Sequence, residues 1–288
     1  MTKFSLTNAV FTGYKERESP FDLEIPDSFN GKVIVFCHGF MGYKDWGCWN
    51  LVQDYFVSLG FGFCKYNVSH NGGTVENPID FSDLDAFARN TYSGEIDDLN
   101  ALLNSLLLYI KIPFEVCLIG HSRGGGTVLL SSKHPSVKAL VTWAAISSIE
   151  SRFPQGVELA RWKNDGVRYV RNGRTHQEMP MLYGLYEDFV ANAERLNIQA
   201  ACEKMTIPAL IIHGEKDTSV PISEGEALSK WLNDELIRIE GADHTFCSAQ
   251  PWNNSEMPNE LLEVCQITAD FFLTRKAIQL EIDPFGRL

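Results

Sequence analysis

The sequence predicts an α/β fold, a mainly parallel twisted sheet with helices on both faces and one lid-like insertion. Three observations carry this reading. Short apolar runs rich in β-branched and aromatic residues, too short for helices, recur along the chain and end in loops. Segments with apolar residues at a 3.6-residue period lie between them. A strand followed by a helix and then another strand returns by a crossover, so the alternation implies parallel strands covered on both sides.

Taken in order, residues 8–30 read as two short β runs punctuated by Pro20 and Pro26. Val33–Cys37, between Gly31 and Gly39, is the first buried run, and Trp46–Leu59 an amphipathic helix. Gly62–Tyr66 is a second strand. Glu95–Ile110 repeats Ile96, Leu99, Leu102, Leu103, Leu106 and Leu107 on one helical face and stops before Pro113. The strands Val116–Ile119, Ala139–Ala145, Ala209–Ile212 and Leu236–Ile239 follow. Ser223 with Glu226 fits a capping box for a helix through Leu232, and residues 258–276 make a long final helix.

Two stretches break the rhythm. About sixty residues separate Ala145 from Ala209, more than one crossover needs. Within them Val167–Val170, Asn172-Gly173 and the residues from Thr175 read as a hairpin, with Asn-Gly suited to a type I′ turn; Leu182–Lys204 reads as helical. Residues 147–205 are therefore expected to be an inserted lid or cap on a single domain spanning 1–288. The other stretch, Asn67–Tyr92, is long and polar, with acids at Asp80, Asp83 and Asp85. It reads equally as a ligand-contacting loop or a solvated one.

Composition narrows the function. Hydrophobic residues make up 44% and charged residues 22%, enough to build a core without disulfides or metals. The formal net charge is −12, from 37 acidic and 25 basic side chains, which argues against a nucleic-acid partner because such binding needs a basic face. Seven cysteines with no C-x-x-C pair read as small hydrophobes in a reducing cytosol. Residues 1–20 have no apolar signal core and no run approaches the length of a membrane span, so a cytoplasmic protein without a membrane partner is expected. The sequence is silent on oligomeric state.

The strongest chemical motif is Gly120-His121-Ser122-Arg123-Gly124, a G-x-S-x-G pattern. It follows the strand Val116–Ile119 and precedes the small-residue helix start Gly125-Gly126-Thr127. That strand–turn–helix setting is what a nucleophile elbow requires. A serine hydroxyl needs a base. In the fold that carries this elbow, the chain order is Ser, acid, His. Of the histidines after Ser122, only His244 follows an acid-bearing loop and lies just past the last strand. His134 and His176 fall elsewhere, and His213 ends a strand where a supporting contact suits it better. The acid is Glu215 or Asp217, with Asp217 favoured because it lies deeper in its loop; Asp243, adjacent to His244, is poorly placed to orient that ring.

Two donors are needed for a tetrahedral oxyanion. The expected pair is the backbone N–H of Arg123 and that of Phe40, in the loop His38-Gly39-Phe40-Met41-Gly42, with Met41 second. Phe40, Met41 and Trp162 are candidate substrate-contacting side chains, and the Arg123 side chain is expected to brace the elbow through an ion pair. No cofactor is called for, and His38 and His121 lack clustered carboxylates at metal-ligand spacing.

These residues resemble the α/β-hydrolase superfamily from Gly31 to the final helix, apart from the insertion. Within it the chain looks most like the small esterase branch, cinnamoyl or feruloyl esterases, and prolyl-oligopeptidase-like hydrolases. The likeness rests on His38-Gly39-Phe40, Gly120-His121-Ser122-Arg123-Gly124-Gly125, Gly214 with Asp217 and Pro221, and His244-Thr245-Phe246. It implies a serine hydrolase cleaving a small-molecule carboxylic ester through an acyl-enzyme. An amidase, aminopeptidase or thioesterase with the same triad is the alternative. A ligand-binding protein on the same fold, with negligible turnover, is a further one.

Overall fold

The computed structural model describes residues 2–274. Two strands, β1 (Thr2–Thr12) and β2 (Glu18–Pro26), open it as an antiparallel pair. The series then runs β3 (Lys32–Cys37), α1 (Trp49–Ser58), β4 (Gly62–Tyr66), α2 (Leu84–Ala88), α3 (Tyr92–Tyr109), β5 (Glu115–His121), α4 (Arg123–Leu130) and β6 (Val137–Trp143). The segment before the next sheet strand holds α5 (Gly156–Asp165), β7 (Val167–Arg171), β8 (Glu178–Leu182), α6 (Gly184–Ala191) and α7 (Ile198–Glu203). The chain returns through β9 (Ala209–Gly214), α8 (Ile222–Leu232), β10 (Leu236–Ile239) and α9 (Asn259–Thr274). Residues 275 and 276 of the predicted last helix lie outside the described residues.

The main sheet has the order β1-β2-β4-β3-β5-β6-β9-β10. From β4 to β10 neighbouring strands are parallel, and β2 joins β4 antiparallel. Alternate side chains feed two cores. Val33, Val35 and Cys37 face Leu99, Leu102, Leu103 and Leu106 of α3. Ile34 and Phe36 face Trp49, Val52 and Phe56 of α1 and Leu261, Val264 and Phe272 of α9. Both faces are thus dry, which is why these strands read as continuous apolar runs. The chain leaves β3 toward β4 on one side, while β5 lies on the other. This reversal of winding opens a crevice at the carboxyl ends of β3 and β5, where ligands settle in open α/β sheets.

Local expectations fail where side chains chose other partners. The capping box on Ser223 and Glu226 does not form: Pro221 is the N-cap, with no side-chain cap, and Glu226 accepts from Arg238 at 2.6 Å. Asn172-Gly173 is not a two-residue turn. The strands end at Arg171 and Glu178, and Asn172 Oδ1 accepts the N–H groups of Arg174 and Thr175, which stabilises a longer loop. The helix expected over Leu182–Lys204 is broken into α6 and α7, and its first residue belongs to β8.

Residues 67–73 of the 67–92 stretch are buried, whereas Glu76, Ile79, Asp80, Ser82 and Asp85 are exposed. Asn67 accepts from Lys44 N–H at 2.7 Å and donates to Pro78 O at 2.7 Å, and Asn71 donates to Gly42 O at 3.2 Å. Asp83 caps α2 and pairs with Arg17 at 2.8 Å. The stretch therefore props the loop after β3 from behind. Among the described residues no cysteine forms a disulfide, and six of the seven are buried; burial pushes the Cys37 thiol up to about 12. Among the described residues no helix is long and apolar enough to cross a membrane.

Candidate active site

Ser122 joins β5 to α4 at φ 57°, ψ −120°, a conformation that strains any residue with a Cβ. Close approach explains the flanking glycines. A Cβ on Gly120 would lie 2.4 Å from Gly124 O, and one on Gly124 would lie 2.4 Å from Cys37 O. The elbow is pinned by Ser122 N–H to Trp143 O at 2.9 Å and Gly125 N–H to Ser122 O at 3.0 Å. Its strain is held by a sheet and a helix that leave no alternative path.

Three loops from separate strands meet there. His244, in the loop after β10, has Nε2 2.9 Å from Ser122 Oγ and Nδ1 2.7 Å from Asp217 Oδ2. Asp217 follows β9, and its Oδ1 accepts the N–H groups of Ser219 and Val220, both at 2.8 Å. Burial acts to raise this carboxyl. Hydrogen bonds from His213, His244 and the Val220 N–H overcome that and hold it well below the usual carboxylate range. Glu215 is exposed. Asp243 is exposed too, and accepts from Thr245 and Cys247 N–H instead.

The loop after β3 comes from the adjacent strand. Gly42 N–H closes it onto Gly39 O at 3.0 Å, with Met41 at φ 55°. A Cβ on Gly39 would stand 3.0 Å from Ser122 Cβ, so this loop passes directly over the serine. The Phe40 and Arg123 N–H groups have no acceptor within the described residues. The Phe40 ring packs against Phe87, centroids 5.6 Å apart.

Two further histidines support the arrangement, a role that no motif in the sequence marks. His121 Nε2 donates to His244 O at 2.8 Å, fixing the backbone that carries that ring. Burial, with the His244 ring beside it, pushes His121 down to about 3, so it stays neutral. His38 donates from Nδ1 to Gly39 O at 2.8 Å and accepts Val68 N–H on Nε2 at 3.1 Å; burial brings it down to about 4. His213 takes the supporting position expected of it: its Nε2 is 2.8 Å from Val220 O and 3.3 Å from Asp217 Oδ2.

The Arg123 side chain is buried. Its Nε is 2.8 Å from Glu95 Oε1, at an angle too poor for a hydrogen bond, so the contact is an ion pair and not a fork. Its guanidinium lies 3.8 Å from the centre of the Tyr92 ring. The elbow is thus tied to the first turn of α3.

Two cavities open on Ser122 and His244. The larger, about 410 Å³, is walled by Tyr92, Phe153, Arg168, Met181 and Leu185 among others. The smaller, about 210 Å³, is walled by Met41, Trp46, Trp49, Asn172 and Arg174. Phe40 stands between them and lines both. Trp162 lines neither. It is 2% exposed, donates Nε1–H to Met181 O at 2.9 Å, and packs behind Phe153, so a substrate contact is a misreading of a packing residue. Arg152, Arg168 and Arg174 line the cavities and were not singled out in the sequence; only their placement on the segment between β6 and β9 marks them. Among the described residues no three His, Cys, Asp or Glu side chains gather as a metal site.

Comparison with known proteins agrees with this architecture. Human serine hydrolase BPHL is 27% identical over 145 residues, 43% of this chain and 46% of that protein. The mouse protein is 23% identical over 163 residues, 53% of this chain and 54% of its own length. The chain thus spans about half the length of the curated relatives it matches. Among solved structures, Est1E from Butyrivibrio proteoclasticus with ferulic acid bound superposes with a TM-score of 0.68 at 18% identity, covering 92% of this chain and 98% of that one. Pyrococcus horikoshii acylaminoacyl peptidase gives 0.63 at 15% identity, covering 98% of this chain and 43% of the other. These likenesses speak for the fold alone. The sequence model of the alpha/beta hydrolase family matches residues 34–262, and the chain belongs to that family.

Proposed function

We propose that the protein is a serine hydrolase that cleaves a small-molecule carboxylic ester through an acyl-enzyme intermediate. The observation that carries this reading is the unbroken relay from Asp217 through His244 to Ser122, opening on two cavities. His244 Nε2 takes the Ser122 proton as Oγ attacks the carbonyl carbon. The Phe40 and Arg123 N–H groups receive the oxyanion, each such donor contributing about 2.7–4 kcal/mol to the barrier reduction. Collapse expels the alcohol, which takes the proton from His244. A water molecule then gives a proton to His244 and attacks the acyl carbon, and collapse releases the acid as His244 returns that proton to Ser122 Oγ. Asp217 keeps the Nδ1 proton in place throughout.

Residues 147–205 act in this reading as the cap. Phe153, Arg168, Met181 and Leu185 in the larger cavity and Asn172 and Arg174 in the smaller come from that segment, while the reacting groups come from the sheet loops. Two BPHL relatives described as serine hydrolases support the same class of chemistry.

The test is labelling with a fluorophosphonate, with Ser122→Ala as control, followed by kcat/KM on nitrophenyl esters, aminoacyl anilides and acyl thioesters. Labelling at Ser122 with esters turned over best is expected. Folded wild type that resists labelling overturns the mechanism, and a preference for anilides or thioesters moves the substrate class to amides or thioesters.

A further inference from the structure

The chain is strongly acidic, yet every formally charged side chain lining the two cavities beside Ser122 is an arginine. Arg123, Arg152 and Arg168 line the larger cavity, and no carboxylate does. Two of the three are neutralised from behind the wall: Arg123 by Glu95, and Arg152 by Glu224, whose other oxygen accepts Ser147 N–H at 2.7 Å. Arg168 is different. It is half-buried, and no carboxylate of the described residues forms an ion pair with it. Asp165, in the groove on the far side of Arg168, is engaged by Arg161 at 3.5 Å.

Arg168 is also held in place. Its backbone pairs with Met181 across β7 and β8, and its guanidinium lies over the Trp162 ring, 5.2 Å from the centre. Trp162 is itself fixed by its bond to Met181 O. A guanidinium held over a ring by a cation–π contact spends none of its N–H donors there, and those donors suit a bidentate oxyanion. On the cavity side the wall includes the apolar Phe153, Val170, Met181 and Leu185, while Glu158 and Asp165 line the groove on the other side without an ion pair to Arg168. An unmatched charge beside apolar neighbours attracts an opposite charge more strongly than one in open water.

We infer that the substrate carries an anionic oxyacid group, carboxylate or phosphate, on the part that occupies the larger cavity, and that Arg168 binds that group. This rests on the serine-hydrolase reading of the same site. Arg168 acts here as a specificity determinant and takes no part in bond breaking.

Matched ester pairs test it. In one pair the anion sits on the acyl side (4-nitrophenyl valerate against 4-nitrophenyl hemisuccinate). In a second it sits on the alcohol side (the acetate of 4-ethylphenol against that of 4-hydroxyphenylacetate). A third replaces the second pair's carboxylate with a phosphate. In at least one pair kcat/KM favours the anionic ester by about tenfold or more, consistent with a charge-assisted bidentate contact. Arg168→Met collapses that ratio toward one, and Arg168→Lys retains part of it. The pair that shows the preference identifies the side and the acid. If Ser122 is labelled and the neutral esters are turned over, but no pair exceeds about twofold, the inference falls while the hydrolase reading stands. A preference that survives Arg168→Met also overturns it. Absence of labelling and of turnover on every ester overturns both.

Discussion

Asp217→Asn separates the two acids of one loop and can be worked out atom by atom. Oδ1 of Asp217 accepts two backbone N–H groups, and Oδ2 faces His244 Nδ1 at 2.7 Å and His213 Nε2 at 3.3 Å. An asparagine must keep its carbonyl oxygen on the two N–H groups, because its NH₂ there would meet two donors. The NH₂ then faces His244 Nδ1, which can accept only if it carries no proton. The proton moves to Nε2, the nitrogen that has to take it from Ser122. The resting tautomer is wrong for catalysis, and NH₂ also meets the His213 Nε2–H. The expected loss in kcat/KM is about 10³–10⁴-fold, as for the corresponding substitution in a serine protease triad, or about 4–5.5 kcal/mol of barrier. The loop keeps both backbone bonds, so the urea midpoint shifts little. Ester hydrolysis is measured beside Glu215→Gln, which alters an exposed side chain and changes kcat/KM less than about twofold. Asp217→Asn activity within about tenfold of wild type, or an equal loss in Glu215→Gln, refutes the assignment.

Other perturbations probe the supports. Glu95→Gln leaves the Arg123 guanidinium buried without its counter-charge and costs about 3–5 kcal/mol in urea unfolding; a cost under about 1 kcal/mol would mean the ion pair does not brace the elbow. Gly124→Ala drives a methyl to 2.4 Å from Cys37 O, a backbone atom that cannot swing away, and destabilises by about 3 kcal/mol or more. A variant with wild-type stability would show that the elbow relaxes freely. Acidification from pH 6.5 to 5.5 lowers stability through His38, His70 and His121, which burial holds at about 4, about 4 and about 3. In that interval the unfolded chain binds protons that the folded chain refuses, at about 1 kcal/mol per histidine. Asp98, raised to about 7 by burial, acts with the opposite sign because only the folded chain takes up its proton, and returns about 1 kcal/mol, so the net fall is about 2 kcal/mol. Urea titrations at the two pH values check this; stability that rises on acidification refutes it.

Much of the sheet was legible because burial on both faces leaves little choice of residue. β4 and β10 match their apolar runs residue for residue, and β3, β5, β6 and β9 differ only at their ends. The elbow was legible for a similar reason: its glycines answer to backbone atoms 2.4 Å away, a constraint that writes itself into one short motif. Side-chain partnerships were not. Glu226 had a local partner in the capping reading and found Arg238 on the next strand. Asn172 bent its own loop where a tight turn was expected. Trp162 looked like a substrate contact in an insertion, yet its indole serves to pack Phe153 and Arg168. Glu226 and Trp162 took partners on other elements, whose proximity is decided only in the folded chain, whereas Asn172 chose between two local turns.

The same contrast also accounts for how the site divides. Ser122, Asp217 and His244 each leave the carboxyl end of a parallel strand, and the strand order fixes their separation before any loop conformation matters. β3 and β5 are neighbours at the reversal of winding, so the Phe40 loop and the elbow meet although about eighty residues separate them. The arginines of the cavity walls obey no such rule. Arg152, Arg168 and Arg174 sit on the segment between β6 and β9, outside the strands of the main sheet. Charge in the cavity can therefore change without disturbing the relay, whereas the relay cannot move without breaking the sheet. In the proposed serine-hydrolase reading, a fold arranged this way keeps one reaction and varies what it acts on, and the arginine-lined cavity is the part of this chain that would set its selectivity.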